Sequence, residues 1–403
     1  MLFFGGAADY NRSKDSNGAG TMRKTKNSCC LCVAATLATL VLALQPGIVV
    51  GDTLATQASY IFTSVDIPTS SGQFGFTALD DINDRGEIVG GFVAGPVGFL
   101  LDEKFNFTDI ECPGAINSTA AKSINKRGEI AGFCFAGGRI HGFFRDKKGT
   151  YTLLDFPRAN LTEAVGINDD GQVVGDYRDS SGRFHGFFWD AGLFLTFDVP
   201  FPEATLTAPN GINNVGQIVG FYFDNNVSET FPNGHAHGFL YNNGFFSSFD
   251  VPGASATLPL DINDHGQIVG VYGDSDSIPH SFLLEDGHFT FIEVPFPHVV
   301  FTDVSGINNR GQIVGRYLTT NPADVNNIFN HGLIATPVPG RPSSTAQLAA
   351  SPAPTVARAD GVATPALRLS LDACPGVEPQ DGSVTPAKLS GRWISCSQAV
   401  VPE

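Results

Sequence analysis

Positive charge is scarce in this chain. It holds 24 Lys and Arg against 40 Asp and Glu, a formal net charge of −16. Setting aside residues 1–50, which carry five basic and two acidic groups, leaves 19 basic against 38 acidic residues, a net of −19. A surface of that sign repels nucleic acid and anionic lipid, so neither is expected as a partner. Tryptophan is scarcer still. Only Trp189 and Trp393 occur, which argues against a broad sugar-stacking platform. There is no Gly-x-Ser-x-Gly elbow, no His-Glu-x-x-His pair and no phosphate loop. The Asp-x-Asp-x-Asp-Gly spacing of calcium loops is missing too. No catalytic residue, cofactor or resident metal is therefore assigned. No segment after residue 50 has the length or period of a helix.

What is present is one pattern written six times: Ile-Asn-x-x-Gly-x-h-h-Gly, with Ile, Val or Ala at h. The copies start at Ile82, Ile124, Ile167, Ile212, Ile262 and Ile307, spaced by 42, 43, 45, 50 and 45 residues. Such a period marks one supersecondary unit copied as propeller blades or solenoid turns. In the fifth copy the unit has four apolar parts, at 257–263, 267–272, 280–284 and 288–294. Each is five to seven residues long and bounded by Gly, Asn, Asp or Pro, which is the signal of short strands. The Asn-x-x-Gly element joins the first two parts. Its Asn caps the turn backbone and its Gly accepts a left-handed conformation, so it predicts a type I hairpin turn closed by a glycine bulge.

Part four ends in Asp-x-Pro or Glu-x-Pro, at Asp66, Glu111, Asp155, Asp198, Asp250 and Glu293. Proline cannot donate to a ladder, so it ends an outer strand. Four residues earlier stands an aromatic: Phe62, Phe107, Tyr151, Phe194, Phe246 or Phe289. These are read as wedges between stacked sheets. The first part of this kind, 60–68, precedes every turn motif, and the last repeat stops after its third strand at 331–336. A linear solenoid has no need of this offset. A ring uses it, with the early strand completing the last blade. The expectation is an all-β, closed six-bladed propeller over 60–340, with four-stranded blades and the last completed by the N-terminal strand.

The hairpin is coupled to a His-Gly-Phe strand, at His141, His185 and His237, with variants at His280 (His-Ser-Phe) and His331 (His-Gly-Leu). The first blade departs, with Val97-Gly98-Phe99. Together these motifs resemble the extracellular repeat family called HAF, over about residues 60–340. The resemblance implies an exported bacterial protein, propeller-like, with no defined activity to carry over.

Met22 precedes Arg23, Lys24 and Lys26, then sixteen uncharged, mostly apolar residues at 29–44. That order predicts a secretory signal over 22–55, with residues 1–21 an over-called start. A permanent anchor is the rival, but sixteen residues fall short of the roughly 20 that span a bilayer. A secreted or periplasmic location follows, with no membrane contact beyond the export signal. Export gives Cys112, Cys134, Cys374 and Cys396 an oxidising setting. Cys112 and Cys134 fall near one rim, where they either pair or pack as free, buried small hydrophobes. Residues 341–403, rich in Pro, Ala and Ser, are expected to form a flexible tail, in which Cys374 and Cys396 could close a loop.

In such a blade the turn motifs lie on one face. The second-to-third loops and the blade crossings share the other. Those loops vary most, from 91–97 in the first blade to 224–234 in the fourth and 319–330 in the sixth. Insertions on one face mark either a binding face or neutral drift. The same face should hold the repeated histidines and the acids of Tyr-x-Asp, giving the candidate binding residues Asp179, His185, Asp224, His235, His237, Asp274 and His280. The bland reading is that each His bonds its own blade's backbone or a neighbouring loop. The sharper one is a ligand or metal site, with His235 and His237 the best metal pair. Polar residues outside the loops look uniform from blade to blade, which favours a monomeric, non-catalytic scaffold that binds an extracellular protein or glycan. The alternative is a propeller glycoside hydrolase or polysaccharide lyase with carboxylates from different blades.

Overall fold

The computed structural model describes residues 49–50, 55–57, 60–68, 77–92, 97–226, 234–321, 324–338, 357–358 and 368–369. These form six antiparallel sheets arranged as a β-propeller, with no helix among the described residues. Blade 1 runs inner to outer as Thr77–Ile82, Ile88–Phe92, Gly98–Leu101 and Phe107–Ile110. Blade 2 is Ala115–Ile124, Ile130–Ala136, Arg139–Arg145 and Tyr151–Leu154. Blade 3 is Leu161–Ile167, Val173–Arg178, Phe184–Asp190 and Leu193–Phe197. Blade 4 is Leu206–Ile212, Ile218–Phe223, Ala236–Asn242 and Phe245–Phe249. Blade 5 is Ala256–Ile262, Ile268–Gly273, Pro279–Glu285 and His288–Ile292. Blade 6 takes Val299–Ile307, Ile313–Asn321 and Asp324–Pro337 from the end of the repeats. Its outer strand is Tyr60–Asp66, paired from Gly332↔Val65 to Pro337↔Tyr60. Two dipeptides of the tail, Arg368–Leu369 and Ala357–Arg358, pair with the outer strands of blades 3 and 4. The rest of 341–403 and most of 22–55 lie outside the described residues.

The turn motif explains both the hairpin and its neighbour contact. In blade 1, Asn83 Oδ1 accepts from the backbone N–H of Arg85 and Glu87, at 2.9 and 3.0 Å, and Gly86 closes the turn on Asn83 O. The six turn glycines have φ between 70 and 84°, the left-handed region where a side chain is strained. The Asn Nδ2 then donates to the backbone oxygen of the next blade's Asn. The bonds run Asn83 to Asn125, Asn168, Asn213, Asn263, Asn308 and back to Asn83, each 2.9–3.3 Å. The last glycine of the motif answers a different need. A Cβ at Gly175 would stand 2.0 Å from Glu163 O, and the same clash recurs in each blade, where the inner strand bulges towards its partner.

A threonine staples the opposite face. At five junctions the N–H after the outer strand's acid donates to a Thr hydroxyl on the next inner strand: Ile67 to Thr77, Cys112 to Thr119, Phe156 to Thr162, Val199 to Thr207 and Val251 to Thr257. Between the sheets the deepest wedges are the third-strand residues Phe99, Phe143, Phe187, Phe239, Phe282 and Leu333. The outer-strand aromatics expected in that role lean on them instead, as in Phe143–Tyr151 at 5.3 Å and Phe187–Phe194 at 5.5 Å. The outer strand lies where neighbouring blades diverge, so Phe107 is 36% exposed, whereas Phe62 in blade 6 is fully buried.

Cys112 and Cys134 are bonded as a disulfide that ties blade 1 to blade 2. They occupy the positions where Phe156 stacks on Tyr177 across the next junction, with ring centroids 3.6 Å apart. The bond closes a loop with a sequence separation of 22. A loop of that length corresponds to about 3 kcal/mol in the chain-entropy model. Reducing it should lower the urea midpoint accordingly, whereas an unchanged midpoint in Cys112→Ser/Cys134→Ser would show that packing alone holds this junction.

Candidate functional site

The crossing face carries the repeated histidines, and their partners are mostly carboxylates. The backbone contact expected from sequence is found only in blade 2. His141, His185, His237 and His331 bond through Nδ1 to Asp155, Asp198, Asp250 and Asp66, at 2.7–2.9 Å. These are the acids of the strand-ending Asp-x-Pro, so that motif orients an imidazole as well as stopping a strand. Through Nε2, His185 lies 3.3 Å from Asp179, His237 3.3 Å from Asp224, and His280 3.1 Å from Asp274. Blade 2 offers Ala136 O at this position and blade 6 the Thr319 hydroxyl. Each imidazole of blades 3 to 6 also stacks on the Tyr two residues before that partner: Tyr177, Tyr222, Tyr272 or Tyr317. The bond to Asp198 raises the His185 pKa against the opposing effect of burial, and Asp250 does the same for His237. The Ser181 hydroxyl and the Arg183 N–H lead the bonds that pull Asp179 down to about 2.

The seven candidate residues therefore do not converge. His235, the other half of the metal pair, points its Nδ1 at Ser255 O, 3.2 Å away, while His237 is held by Asp250 and Asp224. Among the described residues no three His, Cys, Asp or Glu side chains are grouped as a metal would require.

Blade 5 breaks the pattern. Glu293 stands where the other His-bearing blades have Asp (blade 1 also has a Glu, Glu111, but no His), and His280 Nδ1 has no carboxylate partner among the described residues. Ser281 replaces the repeated Gly, and its hydroxyl bonds Thr302 O and Val304 N in place of the threonine staple. Both changes fall at the junction with blade 6. A cavity of about 350 Å³ opens there, lined by His280, Glu293, Phe296, His298, Ile278 and Val300 among others.

The central channel is the part that sequence reasoning missed. Its polar lining is not uniform. Lys122 of blade 2 pairs with Asp80 of blade 1, and Arg316 pairs with Asp303 within blade 6 at 3.2 Å. Glu163 faces Asp176 across blade 3. Asp81 accepts from the Ser123 hydroxyl and from Ile124 N, at 2.7 and 2.8 Å. Asp261 accepts from Ile307 N at 2.8 Å. Both side chains press against glycines: a Cβ on Gly306 or Gly211 would come within 2.7 Å of the Asp81 or Asp261 Cα. Burial dominates the electrostatics. It pushes Asp81 up to about 6, and pushes Asp176 and Asp261 well above the usual carboxylate range, helped by the charges of Glu163 and Asp81 respectively. Burial lowers the Lys122 pKa, but Asp80 and Asp303 outweigh it and the net shift is upward. One sequence signal could have exposed this cluster. The column three residues before the motif Asn reads Asp80, Lys122, Val165, Asn210, Leu260 and Ser305, charged in two blades and uncharged in the rest.

No family model matches this chain, and no curated protein sequence matches it. Several solved structures are similar in backbone course. TolB from Acinetobacter baumannii is 12% identical, with 73% of this chain and 80% of that one covered and a TM-score of 0.44. A gluconolactonase from Xanthomonas campestris is 13% identical, covering 73% and 99%, at 0.42. A streptogramin B lyase is 11% identical, covering 70% and 100%, at 0.41.

The shifts predict an acid-favoured fold. A group that binds protons more tightly when folded makes stability fall as pH rises through its shifted range. Asp81, Asp176, Asp261, Glu163 and Asp303 are raised by burial, so their contribution is full below the unfolded carboxylate range and is lost as pH climbs through their raised range, about 6 for Asp81. His185 and His237, also raised, contribute fully below about 6.5 and lose that contribution above it. Asp179, lowered to about 2, contributes above its unfolded value and loses this only in stronger acid. The melting temperature should therefore peak near pH 5 and fall by several degrees at pH 8. A flat or rising profile over that interval would contradict these assignments.

Proposed function

We propose that this is an exported, non-catalytic binding propeller of the HAF-repeat type, which engages an extracellular protein or glycan through its crossing face. One observation carries the reading: at the blade 5–6 junction the crossing face departs from the repeat and leaves apolar surface open beside a cavity. Two of the eight exposed large hydrophobic residues among those described line it: Ile278 and Val300, each more than half exposed. Blade 6 extends its second and third strands beyond this rim, to nine and fourteen residues. Clustered apolar exposure of this kind marks an interaction site. The other repeated polar side chains of the face are occupied within the fold, the histidines joining strands of one blade and the threonines joining neighbouring blades. Hydrogen exchange on the protein with a ligand selected from glycan and random-peptide libraries tests the reading. Protection should appear over 274–280 and 299–302. Protection over the Asn turns instead would overturn it.

A second reading, hydrolysis or elimination on a polysaccharide, is favoured by the channel carboxylates drawn from different blades, with Asp81 near 6 in the range of a general base. It requires new reducing ends or unsaturated products from a polysaccharide panel, lost in Asp81→Asn and Glu163→Gln. Turnover surviving both substitutions would remove the channel from consideration.

A further inference from the structure

The cavity between blades 5 and 6 has a chemistry that selects its occupant. We infer that it binds an extended peptide segment in which basic side chains alternate with aliphatic ones. The inference rests on the binding reading above and narrows it to one site.

Three features converge. The first is charge. Between Arg183 and Arg310 the chain contains no Lys or Arg, yet it holds 14 Asp and Glu. That stretch supplies all of blades 4 and 5 and the crossing into blade 6. At the cavity, exposed Glu293 and the Asp274 carboxylate flank His280 with no fixed cation on either element. A field of one sign with no internal counter-charge attracts a cationic ligand and speeds its encounter. The second is wall composition. The most open apolar side chains are aliphatic, Ile278 at 51% and Val300 at 55% exposure, and among the described residues no exposed Trp or Tyr lines the cavity to offer the flat ring that sugars stack on. The third is a free directional group. In blades 2, 3, 4 and 6 the imidazole Nδ1 is taken by an Asp, whereas in blade 5, where Glu293 stands in that place, His280 Nδ1 has no such partner among the described residues and the residue lines the cavity with Ser281 and Glu293. An unpaired imidazole nitrogen at the rim can bond a peptide amide, the polar contact an extended segment offers between its side chains.

The test uses fluorescein-labelled, end-capped heptapeptides and the full-length protein, read by anisotropy at low salt. Alternating Leu and Lys should bind at least tenfold tighter than alternating Leu and Glu, and at least tenfold tighter than alternating Ser and Lys. Glu293→Gln should weaken the Leu–Lys peptide several-fold and flatten its salt dependence. Ile278→Ser/Val300→Ser should weaken it at least tenfold, whereas Phe245→Ser, an exposed apolar change on the blade 4 outer strand, should leave it unaltered. Equal binding of the Leu–Lys and Ser–Lys peptides, or binding indifferent to the cavity variants, would show diffuse attraction to an acidic surface and overturn the inference. Glycan-array signals that fall in Ile278→Ser/Val300→Ser, with no peptide binding, would overturn the peptide while sparing the crossing-face reading. Ligands of either class that ignore both cavity substitutions would overturn the two together.

Discussion

Replacing Asn168 with Ala should destabilise the fold by about 3 kcal/mol, from the loss of several buried hydrogen bonds worth about 1 kcal/mol each. The side chain is 3% exposed. Its Oδ1 accepts from Asp170 N and Gln172 N, both at 3.1 Å, and its Nδ2 donates to Gln172 Oε1 at 2.9 Å and to Asn213 O at 3.3 Å. For a domain of this size such a loss lowers the melting temperature by roughly 6–12 °C. Asn168→Asp separates the two duties of the residue. Aspartate keeps the acceptor that closes the turn, but it cannot donate to blade 4 and sets a negative charge against the Asn213 carbonyl. Denaturant midpoints should therefore place Asn168→Asp no higher than Asn168→Ala. An aspartate variant as stable as the parent would mean that the turn alone matters and that the inter-blade ring contributes nothing.

Phe62→Ala should cost more, about 3–5 kcal/mol, the usual range for emptying a buried Phe site. Phe62 lies on Tyr60–Asp66, opposite Ala335, within the core shared with Val269, Leu283, Val304 and Leu333. The equivalent Phe107 of blade 1 is 36% exposed, so Phe107→Ala should cost about 1 kcal/mol or less. The contrast arises from position. The outer strand of blade 6 is joined to its sheet by pairing and packing across 265 residues of sequence, as the His331–Asp66 bond illustrates. Undocking it exposes the long third strand Asp324–Pro337 as an unpaired edge, a template for aggregation. Limited proteolysis should cut Phe62→Ala near residue 68 well before Phe107→Ala is cut anywhere. Equal resistance of the two variants would contradict the role given to this strand.

The repeat made most of the architecture readable. Six Asn-x-x-Gly turns, bounded apolar segments and the displaced strand at 60–68 are local signals, and local chemistry dictates them. The contacts made between strands and between blades were harder to see. The acid of Asp-x-Pro is chosen by an imidazole thirteen or fourteen residues upstream on the adjacent strand, a pairing that emerges only once the register sets Gly142 against Leu154 or Gly186 against Phe197. The asparagine Nδ2 was free to serve its own turn or a neighbour, and ring geometry makes it serve both. The channel charges were hidden for a related reason. Asp80, Lys122, Glu163 and Asp303 sit on four different inner strands, and only the sixfold arrangement gathers them round one axis. At the blade 5–6 junction the altered letters, Ser281 and Glu293, stand in plain view. Their consequence, an open cavity beside an unpaired histidine nitrogen, is a property of packing.

The central claim is that copied residues hold the propeller together, within blades and between them, while function sits where the copy fails. Parallel measurement of unfolding free energy and of Leu–Lys peptide affinity in His185→Ala and His280→Ala tests it most directly. His185 bridges Asp198 and Asp179 and stacks on Tyr177, so its loss should cost about 2 kcal/mol of stability and leave affinity unchanged. Among the described residues His280 keeps the bond to Asp274 and the stack on Tyr272, without the Asp that holds Nδ1 in blades 2, 3, 4 and 6, so its loss should cost about 1 kcal/mol or less and weaken the peptide at least fivefold. Equal stability losses with no effect of His280→Ala on binding would contradict the account.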